Sequence, residues 1–266
     1  MFGEFSYKMP GVGNYNDVTN TWLRSAPNLA TVGTITSGTW NGTAIQNAYL
    51  ANSSIIVAGT SVSLGGSVAV TGRLLAIQVF TATGSNTYTP TSGCTHAIVC
   101  LWGAGGGGGA STSASVAGGG GGGGAYAEAL VSVSGSVTIS VGTGGTGQVK
   151  NNSTAGTDGG DTTYNSTTVV AKGGTHGANN TVGTGGAAAS CTGTVKLSGI
   201  DGGTPNNVAG NPGIGGASPR MGLLAAFSGN WAVASPDNTG MGGRSGFSAQ
   251  NASNGGSGLA IVYEFS

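Results

Sequence analysis

Of 266 residues, 56 are glycine and only 6% are charged, eight Lys+Arg balancing eight Asp+Glu for a formal net charge of zero. Ordinary domains carry about 7% glycine and about 25% charged residues, so both departures are large. They exclude a basic surface for phosphate-driven nucleic-acid binding and a collagen-like repeat, while 38% hydrophobic residues with strand-like patterning argue for a folded all-β chain over a disordered one.

Residues 1–27 hold Phe2, Phe5, Tyr7, Tyr15 and Trp22 without sustained periodicity. They read either as a frayed terminus or as a segment that docks onto another protein. They lack a hydrophobic signal core, and no apolar run reaches the roughly 18 residues of a membrane span, so the expected folding compartment is a cytoplasm. Cys94, Cys100 and Cys191 have no metal-binding spacing and are expected as reduced structural thiols.

Residues 28–74 change character. Thr31–Thr36, Ile55–Ala58, Ser61–Leu64 and Ser67–Val70 are short β-prone pieces separated by Ser-Gly, Asn-Gly, Ala-Gly and Gly-Gly turns. So short a segment with so few large apolar side chains seldom folds alone. Either it packs on the rest of the chain or identical copies wind together and share one core.

A larger unit is expected over 75–266. Leu75, Ile77 and Val79 alternate, and Tyr88-Thr89-Pro90 marks a turn. Ala97–Trp102 is apolar on both faces, as a central strand is. Val131, Val133, Val137, Ile139 and Val141 alternate with serine and threonine. Thr167–Ala171 follows as another strand, and Leu259, Ile261, Tyr263 and Phe265 share a face at the end.

Between these strands stand long glycine-rich stretches. Gly103-Ala104-Gly105-Gly106-Gly107-Gly108 after an apolar strand has the outline of a dinucleotide-binding turn, which requires a helix directly behind it. The continuation, Ala110-Ser111-Thr112-Ser113-Ala114-Ser115-Val116, is a poor helix and leads into Gly118–Gly124, so no cofactor is expected. Ordering glycine costs more backbone entropy than ordering any other residue. Extended three-residue-per-turn helices leave every N–H and C=O free for a neighbour, and only glycine lets several of them pack closely. Gly103–Gly109 and Gly118–Gly124 are therefore expected to be packed extended segments of this kind.

The stretch "ATVGTITSGTWNGTAI" followed by "YLANSSIIVAGTSVSLGGSVAVTG" resembles the shaft repeats of bacteriophage tail fibres. "VFTATGSNTYTPTSGCTHAIVCLWGAGGGGG", "GGGGGGGAYAEALVSVSGSVTISVGTGGTG", "GGDTTYNSTTVVAKGGTHG" and the closing "GGSGLAIVYEF" resemble the glycine-rich tip domain at the C-terminus of many such fibres. The resemblance covers about residues 28–266. It implies a virion attachment segment at 1–27, a short trimerising β shaft at 28–74 and a glycine-rich, sandwich-like tip domain at 75–266. It further implies a homotrimeric tail protein, assembled in a host cytoplasm, that is joined to the phage baseplate or tail by its N-terminus and binds a bacterial surface glycan or outer-membrane protein.

Catalytic signatures are missing from the sequence: there is no G-x-S-x-G elbow, phosphate loop or H-E-x-x-H pair, and eight scattered acids offer no carboxylate pair for depolymerase chemistry. The expectation is a non-enzymatic adhesin with no catalytic residues, no metal and no cofactor. His96 reads as structural, and Asp158 and Asp161 as turn residues, with Ca²⁺ ligation as the alternative role for the pair. Candidate receptor contacts are Tyr164, His176, Phe227, Trp231 and Phe247, near Asn206, Asn207, Asn230 and Asp237; for Phe227 and Trp231 the competing role is as core plugs. Two rival functions are a structural fibre or adaptor without host contact, and an ice-binding protein, which would need a regular triplet that the sequence does not display.

Overall fold

The structure, a computed structural model, describes residues 43–110, 117–150, 155–204, 213–221, 235–246 and 250–266. The chain divides into two compact units, 1–67 and 68–266. The expected strand Thr31–Thr36 and the expected attachment segment 1–27 lie outside the described residues.

In the first unit, β1 (Ser54–Val57) and β2 (Thr60–Ser63) form an antiparallel hairpin. Ala58 and Gly59 turn it with φ of 48° and 81°, both in the left-handed region that matches the twist of a two-residue hairpin loop. Among the described residues of this unit only Val62 is buried, whereas Ile55 and Ile56 are exposed. A two-stranded ribbon is marginal by itself, and this one brings almost no core.

The second unit starts at Val68. Ser67–Val70, expected as a strand, is irregular, and the following residues are tied to the chain's end: Gly72 N–H donates to the Ser266 carbonyl (2.7 Å) and Ser266 N–H to the Arg73 carbonyl (3.1 Å). Nine strands follow. β3 (Leu74–Phe80), β5 (His96–Trp102), β6 (Tyr126–Ser132), β10 (Val195–Leu197) and β11 (Leu259–Phe265) make a five-stranded antiparallel sheet in the order β10-β6-β5-β11-β3. β4 (Gly84–Tyr88), β7 (Val137–Val141), β8 (Thr162–Tyr164) and β9 (Val169–Ala171) make a four-stranded one. Their facing sides enclose the core: Val99 and Leu101 of β5, Ala127 and Val131 of β6, and Val262 of β11 against Tyr88, Ile139, Tyr164 and Val169. The class is all-β, and the only helical pieces among the described residues are two three-residue 3-10 turns.

The glycine-rich stretches prolong these strands. Runs 103–110 and 117–125 continue β5 and lead into β6; 142–149 continues β7 and 155–161 leads into β8; 172–178 continues β9 and 250–258 leads into β11. Runs 181–187, 198–203, 213–218 and 240–246 complete the bundle. The hydrogen bonding has a period of three. Gly103, Gly106 and Gly109 donate to Ala125, Gly122 and Gly119; Ala104 and Gly107 donate to Gly160 and Thr157; Gly105 and Gly108 donate to Gly256 and Ser253. The same run accepts from Gly174 and Gly177, from Gly145 and Gln148, and from Gly243 and Gly246. It thus touches six neighbouring runs, three as donor and three as acceptor, which is the bonding of a polyproline II-type helix inside a lattice of its own kind. Run 117–125 has an equivalent central place between 103–109, 172–178, 240–246, 198–203, 181–187 and 213–218.

Central position explains the uninterrupted glycine. No residue of Gly103–Gly109 or Gly118–Gly124 has a positive φ, so conformational freedom is not the reason. A Cβ on Gly107 would stand 1.9 Å from the Thr146 carbonyl oxygen, and one on Gly121 would stand 2.2 Å from that of Gly106. Outer runs have one side without a neighbour, and side chains appear there at every third residue: Thr143, Thr146 and Val149 are exposed on one run, Thr181, Thr184 and Ala187 on another. A triplet does exist, contrary to the reading of the sequence. Each run shows only two or three repeats and the phase restarts after every reversal, which hides it.

One further expectation is corrected. The Val131–Val141 alternation is two strands of different sheets, joined by a turn at Ser134-Gly135-Ser136. In β11 the core-facing residues are Ala260, Val262 and Glu264, each fully buried, while Ile261 and Tyr263 lie on the outer side of the sheet. Glu264 is held by Gln78 Nε2 (2.8 Å) and the Thr91 backbone N–H (3.2 Å). Burial alone would raise its pKa, but bonds from Thr91, Tyr88 and Gln78 outweigh that and hold it below the ordinary glutamate value. Burial, with Glu264 alongside, pushes the Tyr88 phenol far up.

Candidate functional site

Outer runs leave backbone N–H groups with no further run to accept them, and short polar side chains fill that role. Thr157 Oγ1 accepts from Thr146 N–H (2.8 Å), Thr175 Oγ1 from Thr184 N–H (2.7 Å), Asn254 Oδ1 from Gly147 N–H (2.9 Å) and Asp201 Oδ1 from Gly185 N–H (2.8 Å). These bonds stitch the bundle's sides and explain why Thr, Asn and Asp punctuate the glycine. Asp158 belongs to the same set: its Oδ1 accepts from His176 N–H (2.8 Å) and contacts His176 Nδ1 (2.6 Å). Burial raises the Asp158 pKa, but both bonds to His176 overcome it and the net shift is downward. Asp161 pairs with the Lys172 ammonium and accepts from Gly173 N–H (2.9 Å). The carboxylates of Asp158 and Asp161 are therefore committed to backbone and cationic partners, and among the described residues no three His, Cys, Asp or Glu side chains gather as a metal site.

With sides and core occupied by backbone pairing, the bundle's far end is the surface that sequence variation can shape. Ala110 and Ala117, Lys150 and Ala155, Thr204 and Gly213, and Gly246 and Gln250 are the last described residues of their runs, and Asn179-Asn180 is a described reversal. Cross-links place these points together: Gly118 bridges Asn179 and donates to Gly246, Ala110 N–H donates to Gln148 Oε1 (2.9 Å), and Ser245 donates to Gly213. The Asn179-Asn180 reversal is closed by Ala178 and Thr181, with Asn180 at φ 56°. The joining sequences are Ser-Thr-Ser-Ala-Ser-Val, Asn-Asn-Ser-Thr, Pro-Asn-Asn-Val-Ala-Gly-Asn-Pro and Phe-Ser-Ala, all uncharged.

The anticipated contact residues are dispersed. Tyr164 is a correction: it is 3% exposed and packs its ring 5.8 Å from that of Tyr88, so the core leaves it no free face for a ligand. His176 is half-buried on the bundle's flank, three residues before Asn179, and paired to Asp158. Phe227, Trp231 and Phe247, with Asn206, Asn207 and Asn230, lie outside the described residues. Asp237 lines a polar groove of about 410 Å³ with Thr81, Thr83, Thr143, Asn254 and Ser257, beside the sandwich rather than at the far end. Lys150, Asn179 and Asn251, at or beside the reversals, were missed by the sequence reading; the signal for them was the point where each glycine triplet breaks off.

A small antiparallel sandwich drawn out into a bundle of extended glycine helices, with the ends of several runs cross-linked together, defines a class of all-β scaffold built from backbone packing. Residues 81–264 match the family described as Glycine-rich domain, and the chain belongs to that family. A comparison with curated proteins found no match to the chain.

Proposed function

We propose that the chain is a non-enzymatic adhesin of the bacteriophage tail-fibre type, whose glycine-rich domain presents its far end to a bacterial surface. The observation that carries this reading is that the ends of the glycine runs are cross-linked at one end of the lattice, around Ala110, Gly118, Gln148, Asn179, Gly213 and Gly246, while the sequences that follow those ends are uncharged. Binding residues on connections held by a rigid frame are the usual division of labour in recognition domains. The shaft-like repeats at 28–74 and the nearly coreless hairpin inside them support a homotrimer, with residues 1–27 joining the virion. The ligand suited to neutral hydroxyls and amides is a glycan or the polar loops of an outer-membrane protein.

Binding of the fluorescently labelled full chain to a panel of bacterial strains tests the proposal. Saturable binding to some strains, lost when residues 205–212 are replaced by a Gly-Ser sequence of equal length without a change in melting, is expected. A chain that binds none of them, or binds as well after every joining sequence is replaced, would instead be a structural fibre component.

A further inference from the structure

Four separate stretches meet around the polar groove of about 410 Å³ beside the sandwich: Thr81 and Thr83 between β3 and β4, Thr143 on the run after β7, Asp237 in the turn ahead of run 240–246, and Asn254 on the run into β11. Bonds among those stretches fix its walls. Ser257 Oγ accepts from Asn238 N–H (2.9 Å), the Ser257 carbonyl accepts from Gly240 N–H (2.9 Å), and Ser235 Oγ donates to the Gly242 carbonyl (2.7 Å). The Asn238 amide, with its nitrogen turned toward them, donates to the carbonyls of Thr81 (2.9 Å) and Gly258 (3.2 Å). The groups that line the groove are the ones this network leaves over. Six acids are described, and five are bonded within the chain: Glu128 to Arg220, Asp158 to His176, Asp161 to Lys172, Asp201 to Gly185 and Glu264 to Gln78. The Asp237 carboxylate has no hydrogen-bond or ion-pair partner among the described residues, although an aspartate in a turn ordinarily accepts from its own backbone two residues on. The hydroxyls of Thr81, Thr83 and Thr143 are likewise without a partner among the described residues, whereas those of Thr157 and Thr175 accept run amides. Asn254 commits Oδ1 to Gly147 N–H and leaves Nδ2 unbonded among the described residues.

We infer that this groove binds a neutral sugar, with the Asp237 carboxylate as its principal acceptor. A carboxylate only accepts hydrogen bonds, an amide nitrogen only donates them, and a hydroxyl does both. Together they suit a ring bearing adjacent hydroxyls: two of these donate to the two carboxylate oxygens, while the Asn254 amide and the threonine hydroxyls bond the rest. Hydrogen bonds to an ionised acceptor are the stronger kind, so Asp237 dominates the set. The volume lies within the ~300–1,000 Å³ of small-molecule sites, but those are lined mostly by apolar groups. A lining of hydroxyls, amides and one carboxylate instead selects a ligand that is polar over most of its surface, and the carboxylate repels an anion. A calcium ion fits less well, because it takes about six to eight oxygens and favours several carboxylates. Among the described residues no three metal-binding side chains gather here. The described lining has no aromatic ring for a sugar to stack on, so an affinity on the order of 1 mM is expected. This groove is separate from the run ends proposed to meet the bacterial surface, and its ligand holds or fails independently of theirs.

The test titrates the isotope-labelled full chain with glucose, galactose, mannose and N-acetylglucosamine and follows amide chemical shifts. At least one sugar should saturably shift the amides of Thr83, Thr143, Asp237 and Asn254. Asp237→Asn keeps the side chain's shape and removes its charge. The side chain is exposed and makes no bond within the described chain, so melting should not change. The dissociation constant should rise roughly tenfold, as loss of a bond to a charged acceptor does. Replacing residues 205–212 by a Gly-Ser sequence, the change expected to abolish cell binding, should leave sugar binding intact, so the two readings fail separately. Three outcomes overturn the proposal: none of the four sugars shifts the groove amides, a sugar binds Asp237→Asn as tightly as the parent chain, or calcium chloride shifts those amides and the sugars do not, which would make the groove a cation site.

Discussion

Gly107 and Gly135 show how one residue type does two unrelated jobs in this chain. A methyl group at Gly107 would meet the Thr146 carbonyl oxygen at 1.9 Å, and backbone on every side prevents retreat. Gly135 has nothing within 4 Å of its would-be Cβ and no left-handed φ. Gly107→Ala is therefore expected to cost upward of about 3 kcal/mol, at the severe end of overpacking, and Gly107→Val or Gly121→Val to abolish folding. Gly135→Ala should be neutral or stabilise by up to about 1 kcal/mol through the unfolded chain. Thermal melts of these variants check the contrast; equal melts would mean that the glycine runs are not packed. Glu264 provides a residue-level test of the core. Its folded pKa is below its unfolded value of about 4.3, so its stabilisation is complete above that pH and is lost as pH falls through the folded pKa. Glu264→Gln should cost about 1–3 kcal/mol at neutral pH by weakening bonds to a charged, buried acceptor. The gap from the parent chain should narrow in acid, as denaturant titrations at several pH values would show.

At the scale of elements, what was legible in the sequence depended on what enforces each pattern. Ala97–Trp102 stood out because a strand covered on both faces needs unbroken apolar residues. The extended glycine runs were legible because no other packing recovers the entropy of ordering them. β8 and β10 escaped notice, being three residues long and held by neighbours rather than by a pattern of their own. The strand at 259–265 and the shared face of its large residues were legible, but which face meets the core was not; small Ala260 and Val262 fill the narrow space between sheets, and the bulky set faces outward. Tyr164 was read as a surface platform because it stands between glycine-rich stretches, yet β8 puts it between the sheets. The breaks in the glycine runs were visible as composition, but the cross-linking of the run ends depends on hydrogen bonds between distant runs. Outer runs carry the element-level prediction. Thr157→Val removes the acceptor for Thr146 N–H. The site is exposed and water can substitute, so a loss of about 1 kcal/mol is expected. Amide exchange at Thr146 should quicken roughly fivefold while amides of the central runs keep their protection; an unchanged Thr146 amide would show that the threonine pairs are ornamental.

For the whole molecule, charge decides what kind of adhesion the proposed function can use. The formal net charge is zero, and the described ion pairs, Lys172–Asp161 and Arg220–Glu128, are closed on themselves. Long-range attraction to an anionic cell envelope therefore contributes little, and the proposed binding rests on hydrogen bonds and close contact at the bundle's end. Contacts of that kind are insensitive to ionic strength, because screening acts on separated charges rather than on short-range bonds. They are also individually weak, so three copies joined through the N-terminal repeats would bind far more firmly than one, by orders of magnitude when the ends can engage together. Cell binding of the full chain should accordingly change little between low and high salt. A chain lacking residues 1–67 should keep its melting transition, since the core and the glycine lattice lie within 68–266, but should dissociate from cells much faster. Dissociation rates measured on immobilised cells at several salt concentrations test both parts. A steep loss of binding with salt would move recognition to the few charged side chains, and equal dissociation of the long and short chains would mean that one end is enough.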